Sequence, residues 1–560
     1  MHKRIAIALL VFGYLAVAGI TPAQEHGTRF EITFPSSAHA NSITGRVFVM
    51  LARNNDVEPR FQIGRTGGPF FGRDVEKLAP GDKAVIDSND LGSPIENLND
   101  LPPGDYFVQA MINVYSEFKR ADGHVLWMHD DQWEGQRWEA SPGNLKSEVR
   151  KVHIDPKAGN TQTIKLIASE VIPSIEVPTD TEWVQRFKIQ SPSLTKFWGR
   201  PIFIGATVLL PKDYARETIS YPVVYEQGHF DLAAPLGFRT DAPTEEELAK
   251  AGPRARFLKR GYELYQAWIT DNFPRMLVVT FQHPNPYFDD SYDVNSVNVG
   301  PYGDSVMQEL IPEIEKRFRT IKEPYARILA GGSTGGWEAL ALQIFHPDFF
   351  GGTWGYCPDP VTFTNVEGIN IYKDTNAFYK QYEWRREPTV NSVYTDERIN
   401  LTSEQRNHLE LVGGTHGRSG EQIDIWSAVF GPLGSDGYFE PLFNKRTGEI
   451  NPQVAQYWKD NFDLLEYLKR NWATVGPKLV DKLHIYIGTM DTYQLNIAVK
   501  ELEAWMKTTE NPHYEGFFEY GVGEPHCYTG RLTSAERLVE IADFIASKRP
   551  YVSDAPWWKH

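Results

Sequence analysis

The stretch from Arg327 to Phe345 constrains this chain more than any other. An apolar run, Arg327–Ala330 (RILA), leads into Gly331-Gly332-Ser333-Thr334-Gly335-Gly336, and a run with helical spacing follows from Trp337 to Phe345. This is G-x-S-x-G between a strand and a helix, the context a nucleophile elbow requires. The flanking glycines let backbone pack closely around a strained turn, so the serine oxygen stands clear of the sheet. The helix that begins behind it aims N–H groups at developing negative charge. A second serine between glycines, in Gly417-Arg418-Ser419-Gly420, fails the spacing because Glu421 follows.

The sequence around the elbow predicts an α/β architecture. Ile202–Leu210, Tyr221–Tyr225, Met276–Phe281, Gly351–Tyr356, Leu483–Ile487 and Phe517–Tyr520 read as strands. Val306–Phe318, Asn496–Met506 and Ala535–Ser547 have helical spacing. Such alternation implies a mostly parallel sheet with helices on both faces. From residue 24 to 172 the rhythm differs. Short runs such as Arg29–Phe34, Ile43–Ala52, Asp105–Val114, Glu148–Ile154 and Thr161–Ile167 are separated by Gly and Pro, which predicts a β-sandwich. Prolines 173 and 178 mark 173–186 as an extended linker to an α/β domain at 187–550.

A serine nucleophile needs a base and a group to orient it, which in α/β-hydrolases follow in the order Ser, acid, His. Phe517–Tyr520 runs into Gly521-Val522-Gly523-Glu524-Pro525-His526, so His526 is the expected base. Leu483–Ile487 runs into Gly488-Thr489-Met490-Asp491, which places Asp491 at a strand's C-terminal end, where α/β sheets build their sites. Asp359, between Pro358 and Pro360, is the rival acid. For the oxyanion hole, the expected backbone donors are Thr334, directly after the nucleophile, and His229, in the loop after Tyr221–Tyr225.

These residues together resemble the putative-esterase (esterase D-like) family of α/β-hydrolases, which includes feruloyl and acetylxylan esterases, S-formylglutathione hydrolases, enterochelin esterases and mycolyltransferases. The resemblance runs from about Phe187 to Ser547. It rests on Thr207–Pro211 (TVLLP), Tyr221–Gly228 (YPVVYEQG), Tyr302-Gly303-Asp304, Glu309–Pro312, Gly331–Gly336 and His346–Phe350. It implies an α/β-hydrolase fold with Ser333, Asp491 and His526 as triad. Gln227-Gly228 stands where the family often has His-Gly. The chain also carries a long stretch at 360–482 that compact members lack. Structureless loops beyond ~12–15 residues are uncommon, so these roughly 120 residues read as a folded cap that shapes the substrate pocket.

The expected activity is serine-dependent hydrolysis of a carboxylic ester, small or polysaccharide-linked, through an acyl-enzyme. The alternatives are acyl transfer to a sugar acceptor, cleavage of a siderophore lactone, and a non-catalytic carbohydrate-binding role on a hydrolase scaffold. Residues 1–23 have a basic start, an apolar run from Ile5 to Ile20 and Thr21-Pro22-Ala23, the layout of a cleavable export signal, so a secreted or periplasmic protein without stable membrane insertion is expected. Fifty-seven Lys and Arg against 73 Asp and Glu give a net charge of −16, which argues against a nucleic-acid partner. The only cysteines, Cys357 and Cys527, fall in loops expected to converge beside the base, and an oxidising compartment would join them in a disulfide. No cofactor and no metal are expected. Asp289, Asp290 and Asp293 could chelate Ca²⁺, but they read as a solvated acidic loop. Trp127, Trp133 and Trp138, set among Asp130, Asp131 and Glu134, read as packing in preference to a sugar site.

Overall fold

In the computed structural model, the structure describes residues 27–252, 255–380, 385–391, 399–514, 516–550 and 558. The export signal read at 1–23 lies outside them.

The N-terminal part is all β. Ten strands between Gly27 and Val171 join in one hydrogen-bonded assembly. Its core is built from alternate residues: Val47, Val49 and Leu51 on one strand, Val108, Ala110 and Ile112 on another, and Ile164, Leu166 and Ala168 on the last. That last strand, Thr161–Val171, pairs in parallel with Gly27–Thr33 over its first half. Its end pairs antiparallel with Leu145–Ser147 after a register shift at Ala168. The strand Ile43–Ala52 is buried on both faces. One face meets the domain core. The other, Phe48 and Met50, packs with Trp138, Leu409 and Val412.

The part that follows is built on an eight-stranded mixed sheet. We label its strands β1 (Val184–Gln190), β2 (Phe203–Leu209), β3 (Val223–Gln227), β4 (Leu277–Gln282), β5 (Arg327–Gly332), β6 (Gly352–Tyr356), β7 (Leu483–Gly488) and β8 (Phe517–Gly521). Their order across the sheet is β1-β2-β4-β3-β5-β6-β7-β8. The β1–β2 and β2–β4 pairs are antiparallel and the rest parallel. The central strands are apolar on both faces because helices cover both, as parallel sheets require. β1 begins at Val184, so the linker expected to reach residue 186 ends earlier. The helix expected at Val306–Phe318 begins at Tyr302 and carries one π turn over Val306–Leu310.

Among the described residues, six further elements lie between β6 and β7: Pro388–Asn391, Ile399–Thr402, Ser403–Gly413, Gln422–Phe430, Pro452–Asn461 and Leu464–Leu479. The last of these packs against the elbow helix Thr334–Phe345. The helix Ser403–Gly413 packs instead on the β domain, where Arg46 Nε donates to the Val412 carbonyl at 2.9 Å. Trp138 serves this junction, while Trp133 packs edge-on against Phe230 with ring centroids 5.2 Å apart. Trp138 stacks on Phe48 with ring centroids 4.2 Å apart, and its Nε1 donates to the Ser419 carbonyl at 3.1 Å. Trp138→Ala is expected to lower stability by about 3–5 kcal/mol in a urea titration, the usual cost of emptying a buried aromatic site. An unchanged midpoint would contradict this account of how the parts are joined. Among the described residues, no helix is long and apolar enough to cross a membrane.

Candidate active site

The C-terminal ends of the parallel strands converge on Ser333. It follows β5 directly and takes φ 58°, ψ −120°, a conformation costly for any residue with a Cβ. Close approach of the surrounding backbone enforces the turn. A Cβ on Gly335 would lie 2.1 Å from the Gln227 carbonyl oxygen, and one on Gly331 would lie 2.4 Å from the Gly335 carbonyl oxygen. Only glycine fits at either position. The elbow is thereby pressed against the end of β3 and the loop that carries His229.

The other two expected triad residues meet this serine. His526 Nε2 lies 2.9 Å from Ser333 Oγ, and its Nδ1 lies 2.8 Å from Asp491 Oδ2. The second oxygen of Asp491 accepts from the N–H groups of Tyr493 at 2.9 Å and Leu495 at 3.2 Å, which fixes the carboxylate. Tyr493 packs edge-on against the His526 ring at 4.8 Å. Burial disfavours a charged His526, but the Asp491 carboxylate, together with Cys527, outweighs it and holds the imidazole well above its usual pKa. The arrangement can deprotonate the hydroxyl and store the proton as imidazolium.

Thr334 opens the elbow helix, where N–H groups have no acceptor within the helix. His229 follows Gly228 at the end of β3, and its side chain contacts Asp289 at 3.1 Å. Partial desolvation works against charge on that ring, but Asp289 prevails and raises it to about 9.

Asp359, the rival acid, also borders the nucleophile. Ser333 Oγ lies 3.4 Å from its Oδ1. Its Oδ2 accepts from Tyr292 OH at 2.6 Å, Thr334 Oγ1 at 3.2 Å, Gln422 Nε2 at 3.2 Å and Trp426 Nε1 at 3.3 Å. Burial raises its carboxyl despite these donors. It makes no hydrogen bond to His526, so among the described residues the relay runs through Asp491. Tyr292, Gln422, Trp426 and Tyr493 escaped the sequence reading. Tyr292, Gln422 and Trp426 reach the site from distant segments with no motif of their own, whereas Tyr493 lies two residues after Asp491 in the same turn.

Two expectations are corrected here. The Cys357–Cys527 disulfide is not formed, and both thiols are free. The loops do converge, but Cys357 Sγ accepts the backbone N–H of Cys527 at 3.1 Å and is not bonded to the second sulfur. The acidic loop is not solvated either, since Asp290 and Asp293 are 0% and 2% exposed. A cavity of about 760 Å³ opens within the 360–482 segment beside His416, Phe439 and Lys445. It includes none of Ser333, Asp491 and His526, and the hydrogen-bonded relay locates the chemistry more directly than cavity size does.

Residues 203–358 match the family model described as Putative esterase. No curated protein matches the chain in sequence. Solved structures similar to it include a ferulic acid esterase, at 14% identity over 65% of this chain and 98% of that one, with a TM-score of 0.35. An S-formylglutathione hydrolase from Agrobacterium tumefaciens is 14% identical over 66% of this chain and 95% of its own, with a TM-score of 0.33. The fluorophosphonate-binding serine hydrolase FphF of Staphylococcus aureus is 15% identical over 65% and 98%, with a TM-score of 0.32. The family match spans β2 to the loop after β6 and contains the elbow, so over residues 203–358 the chain is similar to the putative-esterase family.

Proposed function

We propose that Ser333 is the nucleophile, His526 the general base and acid, and Asp491 the group that orients it. Ser333 Oγ bonds to the ester carbonyl carbon as its proton passes to His526 Nε2. The resulting oxyanion accepts from the N–H groups of Thr334 and His229. On collapse the bond to the alcohol oxygen breaks, and His526 returns its proton to that oxygen. Water then gives a proton to His526 and attacks the acyl-enzyme, which releases the acid and restores the serine. The observation that carries this reading is the continuous relay of 2.9 and 2.8 Å at a serine held with positive φ.

We read the protein as exported and its substrate as a sugar- or polymer-linked ester, with the 360–482 segment as cap over the pocket and the N-terminal β-sandwich braced against it. Gln422 and Trp426, both from that segment, border Asp359 beside the nucleophile, which supports the cap. A panel of p-nitrophenyl, feruloyl and acetyl-sugar esters tests the reading. Turnover is expected to be highest on a feruloyl or acetyl-sugar ester, and preference for simple p-nitrophenyl esters alone would contradict the substrate class.

The base must be neutral to act, and Asp491 holds its pKa up. Activity is therefore expected to rise with pH, with the acid limb of kcat/KM above the ordinary imidazole value of about 6.5. A limb below that value would contradict the assignment of His526.

A further inference from the structure

Behind the elbow lies a second group of side chains that ester hydrolysis does not use. Glu338 sits on the elbow helix five positions after Ser333, and His283, Asp290 and Asp293 lie on the loop after β4. All four are at most 2% exposed. Asp290 Oδ2, both carboxylate oxygens of Asp293, both of Glu338, and His283 Nε2 are fully covered and have no hydrogen-bond partner. One ligand atom from each of His283, Asp290 and Glu338 falls within 4.8 Å of the others. His283 Nε2 lies 3.6 Å from Asp293 Oδ1 and 3.9 Å from Glu338 Oε1, too far for a hydrogen bond to either. Among the described residues, no Lys or Arg pairs with these carboxylates. Asp290 Oδ1 accepts the Tyr292 N–H at 2.7 Å, but three buried acids with five unpaired carboxylate oxygens do not all stay ionised without a counter-charge.

The ring of His283 narrows the choice of ion. Its Nδ1 accepts the Ser291 N–H at 3.1 Å, so the ring proton sits on Nε2 and faces Asp293 and Glu338. His283 then turns an N–H, not a lone pair, toward the carboxylates, so it is not itself a ligand. The donors left for an ion are all oxygens. Carboxylates in a dry site suit a large hard cation that accepts several oxygens with few waters, which favours calcium over magnesium.

We propose that Asp290, Asp293 and Glu338, with His283 behind them, form a binding site for one divalent cation of the calcium class. The ion fastens the loop after β4 to the elbow helix. The same loop carries Tyr292, which donates to Asp359, and Asp289, which contacts His229. The site therefore steadies both sides of the nucleophile without taking part in bond making. Its rival is a proton. With no cation, burial and the neighbouring acids push the Glu338 carboxyl well above its usual range, which favours a proton there.

Metal analysis of the purified full chain after exhaustive dialysis, paired with thermal unfolding, separates the two. The expected result is about one calcium per chain, a Tm lowered by EGTA and restored by CaCl₂, and calcium lost in Glu338→Gln and Asp293→Asn. Should either variant not fold, the wild-type measurements decide. No bound metal together with a Tm indifferent to EGTA and CaCl₂ would overturn the proposal. Stoichiometric zinc in place of calcium would overturn it too, because it would make His283 a ligand. Neither readout depends on ester turnover, so the ion site and the triad stand or fall separately.

Discussion

Ser333→Ala is expected to lower ester turnover by roughly 10⁴–10⁶-fold, leaving only what the oxyanion donors and substrate binding contribute. The loss should come without a loss of fold. The side chain removed is one hydroxyl, and the strained turn is held by backbone contacts from Gly331 and Gly335 rather than by that oxygen. Alanine carries the same Cβ as serine, so it inherits the positive φ and adds no new clash. Thermal unfolding should therefore match the parent protein within a degree or two. Near-parental turnover in a purified, folded Ser333→Ala protein would remove the nucleophile from the account.

Asp491→Asn is the second large effect, at about 10⁴-fold in kcat. Asp491 Oδ2 receives the His526 Nδ1 proton at 2.8 Å, which leaves Nε2 free to accept from Ser333. An amide presents either a weaker acceptor or an N–H donor at that point. The donor orientation favours the wrong tautomer, and neither orientation supports the imidazolium. The residual activity should also lose the elevated acid limb, since the carboxylate that raises His526 is gone. Asp359→Asn provides the comparison. It leaves the relay untouched and alters the 3.4 Å contact to Ser333 together with the donors on Oδ2, none of which is His526, so turnover should stay within about tenfold of the parent. If Asp359→Asn is the more damaging of the two, the orienting acid has been assigned to the wrong strand end.

That Ser333, Asp491 and His526 would meet was legible because each follows a strand whose apolar run can be read locally, and strand ends of a parallel sheet gather at one edge. Ser333, Asp491 and His526 needed only that order. What the sequence hid depends on distance between segments. Asp290 and Asp293 look solvated in their own polar loop. Their burial is evident only once Glu338, on another element, lies against them. Cys357 and Cys527 do come together, but proximity of two loops did not determine which atom the sulfur would face. Arg46 reaches the Val412 carbonyl 366 positions away, and no local pattern announces such a contact. The described elements between β6 and β7 were read only as folded insertion; most are short, but the 16-residue helix Leu464–Leu479, with Leu464, Leu468, Trp472, Val475 and Leu479 on its buried face, had a readable period that went unread. The strand Ile43–Ala52 does hint at its second partner. It is apolar at consecutive positions, which a strand covered on one face does not need to be.

The most direct measurement is the site of covalent labelling. The protein treated with a fluorophosphonate is digested and the modified peptide located by mass spectrometry. One adduct per chain is expected, on Ser333 within the Gly331–Gly336 turn, formed slowly or not at all in His526→Ala. No adduct, or an adduct confined to another residue, would contradict the central claim that Ser333 is an activated nucleophile.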